Sequence, residues 1–228
     1  MSEEFKVDIN DYQSVTATVY PANKKSRAGM TLILGHGAGG GQTGSFMVTF
    51  ATELAARGID AVTFNFFYAE HRRGAPDKND LLEACYRAVI QAVRKHPKLR
   101  RNKLAIGGKS MGGRIASQVA ASGVSDIAGL VFLGYPLHPP GRPEQLRAKH
   151  LPDIKSPMLF VQGSRDTFGT ADELRKVMNE FNAPAELFVI ESGDHSFKVP
   201  KSSGSTQDAV FESVQDEITR WLRETIAV

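Results

Sequence analysis

A single cysteine, Cys85, stands in the 228 residues, so no disulfide can close within the chain and stability must come from a packed core. No apolar run approaches the roughly 20 residues needed to span a bilayer. The first residues, Met1-Ser-Glu-Glu-Phe-Lys, lack the basic-then-apolar order of a secretory leader. These absences lead to the expectation of a cytoplasmic protein with no membrane association. Lys and Arg number 28 against 25 Asp and Glu, a net charge of +3, and the charges are interspersed with no dense basic block. A nucleic-acid partner is therefore not expected. No internal repeat and no metal-ligand cluster are visible, and Lys201-Ser-Ser-Gly-Ser-Thr is the one low-complexity patch. No compositional break marks a linker, so 1–228 reads as one domain, large enough to bury roughly 70–75% of the surface its unfolded chain exposes.

What the chain does contain is an alternation of strand-like and helix-like segments. Phe5 to Ile9 and Ser14 to Tyr20, parted by the turn pair Asn10-Asp11, read as an antiparallel hairpin. Apolar runs at Met30 to Leu34, Ile59 to Phe67, Leu104 to Ile106, Ala128 to Leu133, Met158 to Gln162 and Glu186 to Ile190 read as strands, most of them covered on both faces. Between them, Phe46 to Arg57, a stretch capped by Asn79 or Asp80 and running to about His96, Ile115 to Ala121, and Ala171 to Phe181 read as helices. Thr206 to Ile226 closes the chain as an amphipathic helix. The segment 135–156 holds five prolines and reads as a lid-like loop rather than a helical cap. The pattern predicts an α/β fold, a mainly parallel sheet of about 7–8 strands with helices on both faces. In such a fold ligands bind beyond the carboxyl ends of the strands.

One stretch organises the chemistry. In Gly108-Lys109-Ser110-Met111-Gly112 a strand meets a helix through a sharp turn, and the glycines let the two approach closely, which displays the Ser110 hydroxyl beyond the sheet. The string Gly-x-Ser-x-Gly alone recurs by chance in roughly one chain in ten of this size, so its partners decide its meaning. A serine hydroxyl needs a base, and the base needs a carboxylate to orient it. Of six histidines, His195 follows the last strand and leaves the sheet at the edge where Ser110 is displayed. Asp166 follows the preceding strand in Gly163-Ser164-Arg165-Asp166; Asp194 is a rival that points away from its neighbour on an extended segment. The order is then Ser110, Asp166, His195. For the oxyanion of a tetrahedral intermediate, the Met111 amide is supplied by the turn and the Ala38 amide by the glycine-rich loop 35–41. Arg72 and Arg73 lie at the same edge and are candidates to clamp a carboxylate or phosphate on a substrate.

Gly35-His-Gly-Ala-Gly-Gly40, Arg72-Arg73 with Pro76-Asp77, Gly107-Gly-Lys-Ser-Met-Gly-Gly-Arg114, Gly163-Ser-Arg-Asp166 and Gly193-Asp-His195 together resemble signatures of the α/β-hydrolase superfamily. The resemblance covers essentially the whole chain. It is greatest to small hydrolases related to dienelactone hydrolase, in the group that includes the testis-expressed hydrolase-like protein. It implies Ser110 as nucleophile, Asp166 as acid and His195 as base. The serine departs from the cysteine of dienelactone hydrolase, so that enzyme's substrate is not carried over. The expected activity is that of a serine hydrolase that cleaves a small-molecule carboxylic ester or related acyl bond through an acyl-enzyme, with no cofactor or metal; nothing specifies an oligomeric state. The alternative from another class is a non-catalytic interaction module on the same fold. A dinucleotide-binding reading of Gly35-x-Gly37-x-x-Gly40 fails because Gly41 to Gly44 delays the helix and Asp60 precedes its strand, at the wrong edge for a ribose.

Overall fold

Strand β1 (Glu3–Asn10) turns into β2 (Gln13–Tyr20) at Asn10, whose side-chain oxygen accepts from the amides of Tyr12 and Gln13. This Asx turn fixes an antiparallel hairpin. In the computed structural model, which describes residues 2–226, six further strands continue the sheet: β3 (Met30–Gly35), β4 (Asp60–Phe64), β5 (Lys103–Lys109), β6 (Gly129–Leu133), β7 (Met158–Gly163) and β8 (Ala185–Ile190). The order is β1-β2-β4-β3-β5-β6-β7-β8. Only the pairs β1 with β2 and β2 with β4 are antiparallel. Every residue of β3, β4, β6 and β7 is buried, which explains why these strands appear in the sequence as unbroken apolar runs.

Helices α1 (Ser45–Ala56) and α6 (Gln207–Ile226) cover one face, packing Phe50, Leu54, Val214, Ile218 and Trp221 against Leu32, Ala105 and Val131. Helices α3 (Asn79–Lys95), α4 (Met111–Ala121) and α5 (Ala171–Met178) cover the other, with Val89, Ile115 and Leu174 against Ile33, Ile106 and Phe160. The segment between β6 and β7 holds only a single 3-10 turn, Leu151–Asp153, so no cap is built over the sheet. No helix among the described residues is long and apolar enough to cross a membrane.

Two local expectations differ. The strand expected through Phe67 ends at Phe64, and Phe67–Glu70 forms a helical turn, α2. The Phe66 amide donates to His36 Nε2 and the Tyr68 amide to Asp77 Oδ2. These side-chain acceptors replace the ladder, while Phe66 and Tyr68 stay buried and keep the strand-like pattern. Neither Asn79 nor Asp80 caps α3. Lys78 occupies that position, and the Asn79 side chain bonds to Glu83 instead, at 2.6 Å.

Candidate active site

Ser110 sits between β5 and α4 with φ 51° and ψ −115°, a conformation that costs a non-glycine residue on the order of 1–3 kcal/mol. Both of its backbone groups are tied down: its amide donates to Leu133 O at 3.0 Å and its carbonyl accepts from the Arg114 amide at 3.1 Å. Close approach completes the turn. A Cβ on Gly108 would lie 2.3 Å from Gly35 O, and one on Gly112 would lie 2.1 Å from the same atom, so β5, α4 and the end of β3 meet backbone to backbone. The expected sharp turn is therefore present, and it directs the hydroxyl out of the sheet.

Asp166 and His195 arrive from the ends of β7 and β8 as expected. Asp166 is 1% exposed. Its Oδ1 accepts from the Phe168 amide at 2.8 Å, and its Oδ2 from Gln162 Nε2 at 2.9 Å and His195 Nδ1 at 2.7 Å. With the proton on Nδ1, His195 Nε2 is the acceptor and stands 2.8 Å from Ser110 Oγ. The Phe168 ring lies 4.3 Å from the imidazole, tilted by 31°, and restricts its rotation. Asp194, the rival carboxylate, is committed elsewhere, accepting from the amides of Ser196 and Lys198. Gln162 and Lys109 carried no signal in the sequence. The Gln162 amide bridges Asp166, Tyr135 and Gly169, fixing the loop that bears the carboxylate. The Lys109 ammonium donates to His195 O and lies over the rings of Phe46 and Phe197; burial pushes it down to about 8.

The glycine-rich loop after β3 passes over Ser110, and a Cβ on Gly37 would lie 3.7 Å from Ser110 Cβ. His36 sets its orientation. Because His36 Nε2 accepts from the Phe66 amide at 3.1 Å, its Nδ1 carries the proton and donates to Gly37 O at 2.8 Å. In a planar trans peptide the N–H points opposite to the C=O, so this bond also aims the Ala38 N–H. The Tyr68 hydroxyl donates to Ala38 O at 2.8 Å. Met111, the first residue of α4, has no carbonyl four residues back within the helix for its amide. Ala38 and Met111 both line the cavity in front of Ser110.

This use of His36 makes stability acid-sensitive. Burial lowers the imidazole to about 4, whereas in the unfolded chain it titrates near ~6.5. Below about pH 6.5 the unfolded state takes up a proton that the folded state refuses, so the stability present at neutral pH is lost as pH falls through about 4. His150, also lowered to about 4 by burial first and Arg114 second, acts in the same direction. Urea unfolding is expected to give a free energy lower at pH 4.5 than at pH 7 by about 2–3 kcal/mol from His36. Equal stability at the two pH values would exclude a buried neutral imidazole.

The cavity has a volume of about 830 Å³ and is lined by His195, Phe46, Met47, Leu82, Phe168, Arg114 and Arg147 around Ser110. Arg72 and Arg73 do not line it. They border a separate depression with Gly39 to Gly41 and Tyr68; Arg73 pairs with Asp77 at 2.5 Å and lies over the Phe67 ring. Arg114 was legible in principle, since it follows Ser110 by one helical turn. Arg147 lies in the proline-rich segment, where no periodicity places it. Asp60, the ribose candidate of the dinucleotide reading, is buried at the opposite edge, bound to the Ala22 amide, Arg27 and Asn102.

An eight-strand, mainly parallel sheet with helices on both faces and no cap is the alpha/beta hydrolase fold. The family model for the alpha/beta hydrolase domain matches residues 28–223, and the chain belongs to that family. Carboxymethylenebutenolidase from Pseudomonas putida is 34% identical over 124 residues, 54% of this chain and 49% of that protein, so the match spans about half the length of the curated relative. Among solved structures, an alpha-beta serine hydrolase homologue from Coxiella burnetii superposes with a TM-score of 0.76 at 22% identity, covering 96% of this chain and 97% of that one. An α/β serine hydrolase without lid from Xanthomonas campestris superposes with a TM-score of 0.77 at 18% identity, covering 100% and 96%. At these identities the two structures speak to the fold alone.

Proposed function

We propose that the protein is a serine hydrolase that cleaves carboxylic esters of small molecules through an acyl-enzyme. The observation that carries this reading is the relay from Asp166 Oδ2 to His195 Nδ1 (2.7 Å) and from His195 Nε2 to Ser110 Oγ (2.8 Å) at the mouth of a cavity. Ser110 Oγ bonds to the acyl carbon as its proton passes to His195 Nε2. The oxygen that gains charge is met by the amides of Ala38 and Met111. The bond to the leaving oxygen then breaks, and His195 returns its proton to that oxygen. Water repeats the two steps, its proton going to His195 and then to Ser110 Oγ as the acid is released. Apart from the substrate and this water, every group in the sequence belongs to the chain. The lack of a cap over the cavity favours small soluble esters over long lipids.

An active-serine phosphonate separates this reading from a non-catalytic interaction module. One adduct per chain, absent from Ser110→Ala, is the expected result by intact-mass measurement. A folded protein that takes no adduct would leave the binding module as the better account.

A further inference from the structure

Two guanidinium groups border the cavity beside Ser110 without a carboxylate to neutralise them. Arg114 lies in the first turn of α4, four residues beyond Ser110, and lines the same cavity. Its guanidinium meets only neutral oxygens, Asn79 Oδ1 and Gln118 Oε1, each at 3.3 Å. Arg147 is held by its backbone, its amide donating to Leu137 O at 2.8 Å and its carbonyl accepting from the Tyr135 hydroxyl at 3.0 Å. Its side chain makes no hydrogen bond or ion pair among the described residues. Other arginines also lack a carboxylate, Arg94 and Arg223 among them, which bind backbone carbonyls instead; what sets Arg114 and Arg147 apart is that both line the cavity around Ser110. Asp77, in the cavity wall, and Glu83, which acts on Arg114, are already engaged, Asp77 with Arg73 and the Tyr68 amide, and Glu83 with Arg87 and Asn79.

The two charges also act on each other. Burial is the first cause that holds the Arg114 guanidinium below its usual value, and the charge of Arg147 pushes in the same direction against the opposing influence of Tyr135 and Glu83. Arg114 is partly buried and Arg147 is exposed at the cavity rim, and two like charges held together in this way are relieved when an anion joins them. A guanidinium fork fits the oxygens of a carboxylate or phosphate in particular.

We propose that Arg114 and Arg147 form an anion subsite that receives a carboxylate or phosphate group carried by the ester substrate. Turnover of such esters rests on the serine-hydrolase reading, but occupation of the subsite does not. The enzyme is then selective for esters with a negative oxyacid group a few carbons from the reacting carbonyl, and the arginines Arg72 and Arg73 are not required for that selectivity.

Two arms test this. In the first, kcat/KM is compared for mono-(4-nitrophenyl) glutarate and 4-nitrophenyl pentanoate, which have equal acyl length and differ in the terminal charge. The expected preference for the glutarate is at least about tenfold, falling about tenfold or more in Arg147→Gln, partly kept in Arg147→Lys, and unchanged in Arg142→Gln on the same segment. In the second arm, glutarate and inorganic phosphate are titrated calorimetrically into Ser110→Ala and into the same protein carrying Arg147→Gln. Binding of either anion that weakens about tenfold with Arg147→Gln supports the subsite, and the tighter anion identifies the group. Such binding without hydrolysis of either ester upholds the subsite and removes the hydrolase reading. A preference for the pentanoate that Arg147→Gln does not change, with neither anion bound, overturns the subsite and leaves the hydrolase reading standing.

Discussion

Asp166→Asn is expected to lower kcat for ester hydrolysis by on the order of 10⁴ while leaving the protein folded. The structure explains why a nearly isosteric change has such an effect. Three donors converge on the carboxylate: the Phe168 amide on Oδ1, and Gln162 Nε2 and His195 Nδ1 on Oδ2. An asparagine offers one acceptor oxygen and one donor group, so one of the two positions must face donor to donor. With its NH₂ at the Oδ2 position, His195 is driven to the tautomer that carries its proton on Nε2, where it can no longer accept from Ser110. With its NH₂ at the Oδ1 position, the tautomer survives but the Phe168 amide is left unpaired at a cost of about 1–3 kcal/mol. The negative charge that stabilises the imidazolium is lost in either orientation. The checks are steady-state hydrolysis of 4-nitrophenyl esters and a circular dichroism spectrum matching the wild type. A loss of less than about tenfold would take the orienting role away from Asp166.

That carboxylate and its two partners were legible because each sits at a junction the chain announces. Gly108 to Gly112 marks a strand giving way to a helix, and Asp166 and His195 each follow a buried apolar run. In a parallel sheet, the ends of successive strands come out on one edge, so position along the chain translated into position in space. What stayed hidden depends on directions rather than on order. The end of β4 could not be read, because Phe66 and Tyr68 remain buried after the ladder stops, and what stops it is the pairing of their amides with His36 and Asp77. His36 appeared in the sequence as one more member of a glycine loop; its role in orienting the Ala38 amide depends on its second nitrogen meeting Phe66, thirty residues away. Arg72 and Arg73 were legible as arginines at the correct edge, yet a salt bridge to Asp77 and the path of the loop lead them to a neighbouring depression. Arg147 comes from a segment without periodicity, and Gln162 is a strand residue whose polar side chain has meaning only once Tyr135, Asp166 and Gly169 surround it.

Gly112→Ala is expected to cost about 3 kcal/mol of stability, which for a chain of this size lowers Tm by about 6–12 °C, and to lower kcat/KM by about 10² or more. Helix propensity alone argues the reverse, since alanine is favoured over glycine inside a helix by about 1 kcal/mol. The contacts decide the sign. The added methyl carbon would lie 2.1 Å from Gly35 O, 2.3 Å from Gly35 C and 2.8 Å from His36 O, all backbone atoms that have no rotamer to change. Relief therefore requires α4 to move away from the end of β3. Ser110 and Met111 move with α4, whereas Ala38 and the loop held by His36 stay with β3, so the same displacement that relieves the clash widens the gap between the proposed nucleophile and the proposed second oxyanion donor. A shift near 1 Å is enough for the stated loss in rate. Gly74→Ala is the matched control, because nothing lies within 4 Å of a Cβ at that position, and its unfolding temperature is expected to match the wild type. Calorimetric unfolding and ester kinetics on the two variants test the argument together. A Gly112→Ala protein as stable and as active as the wild type would show that helix and strand need not touch to form the site.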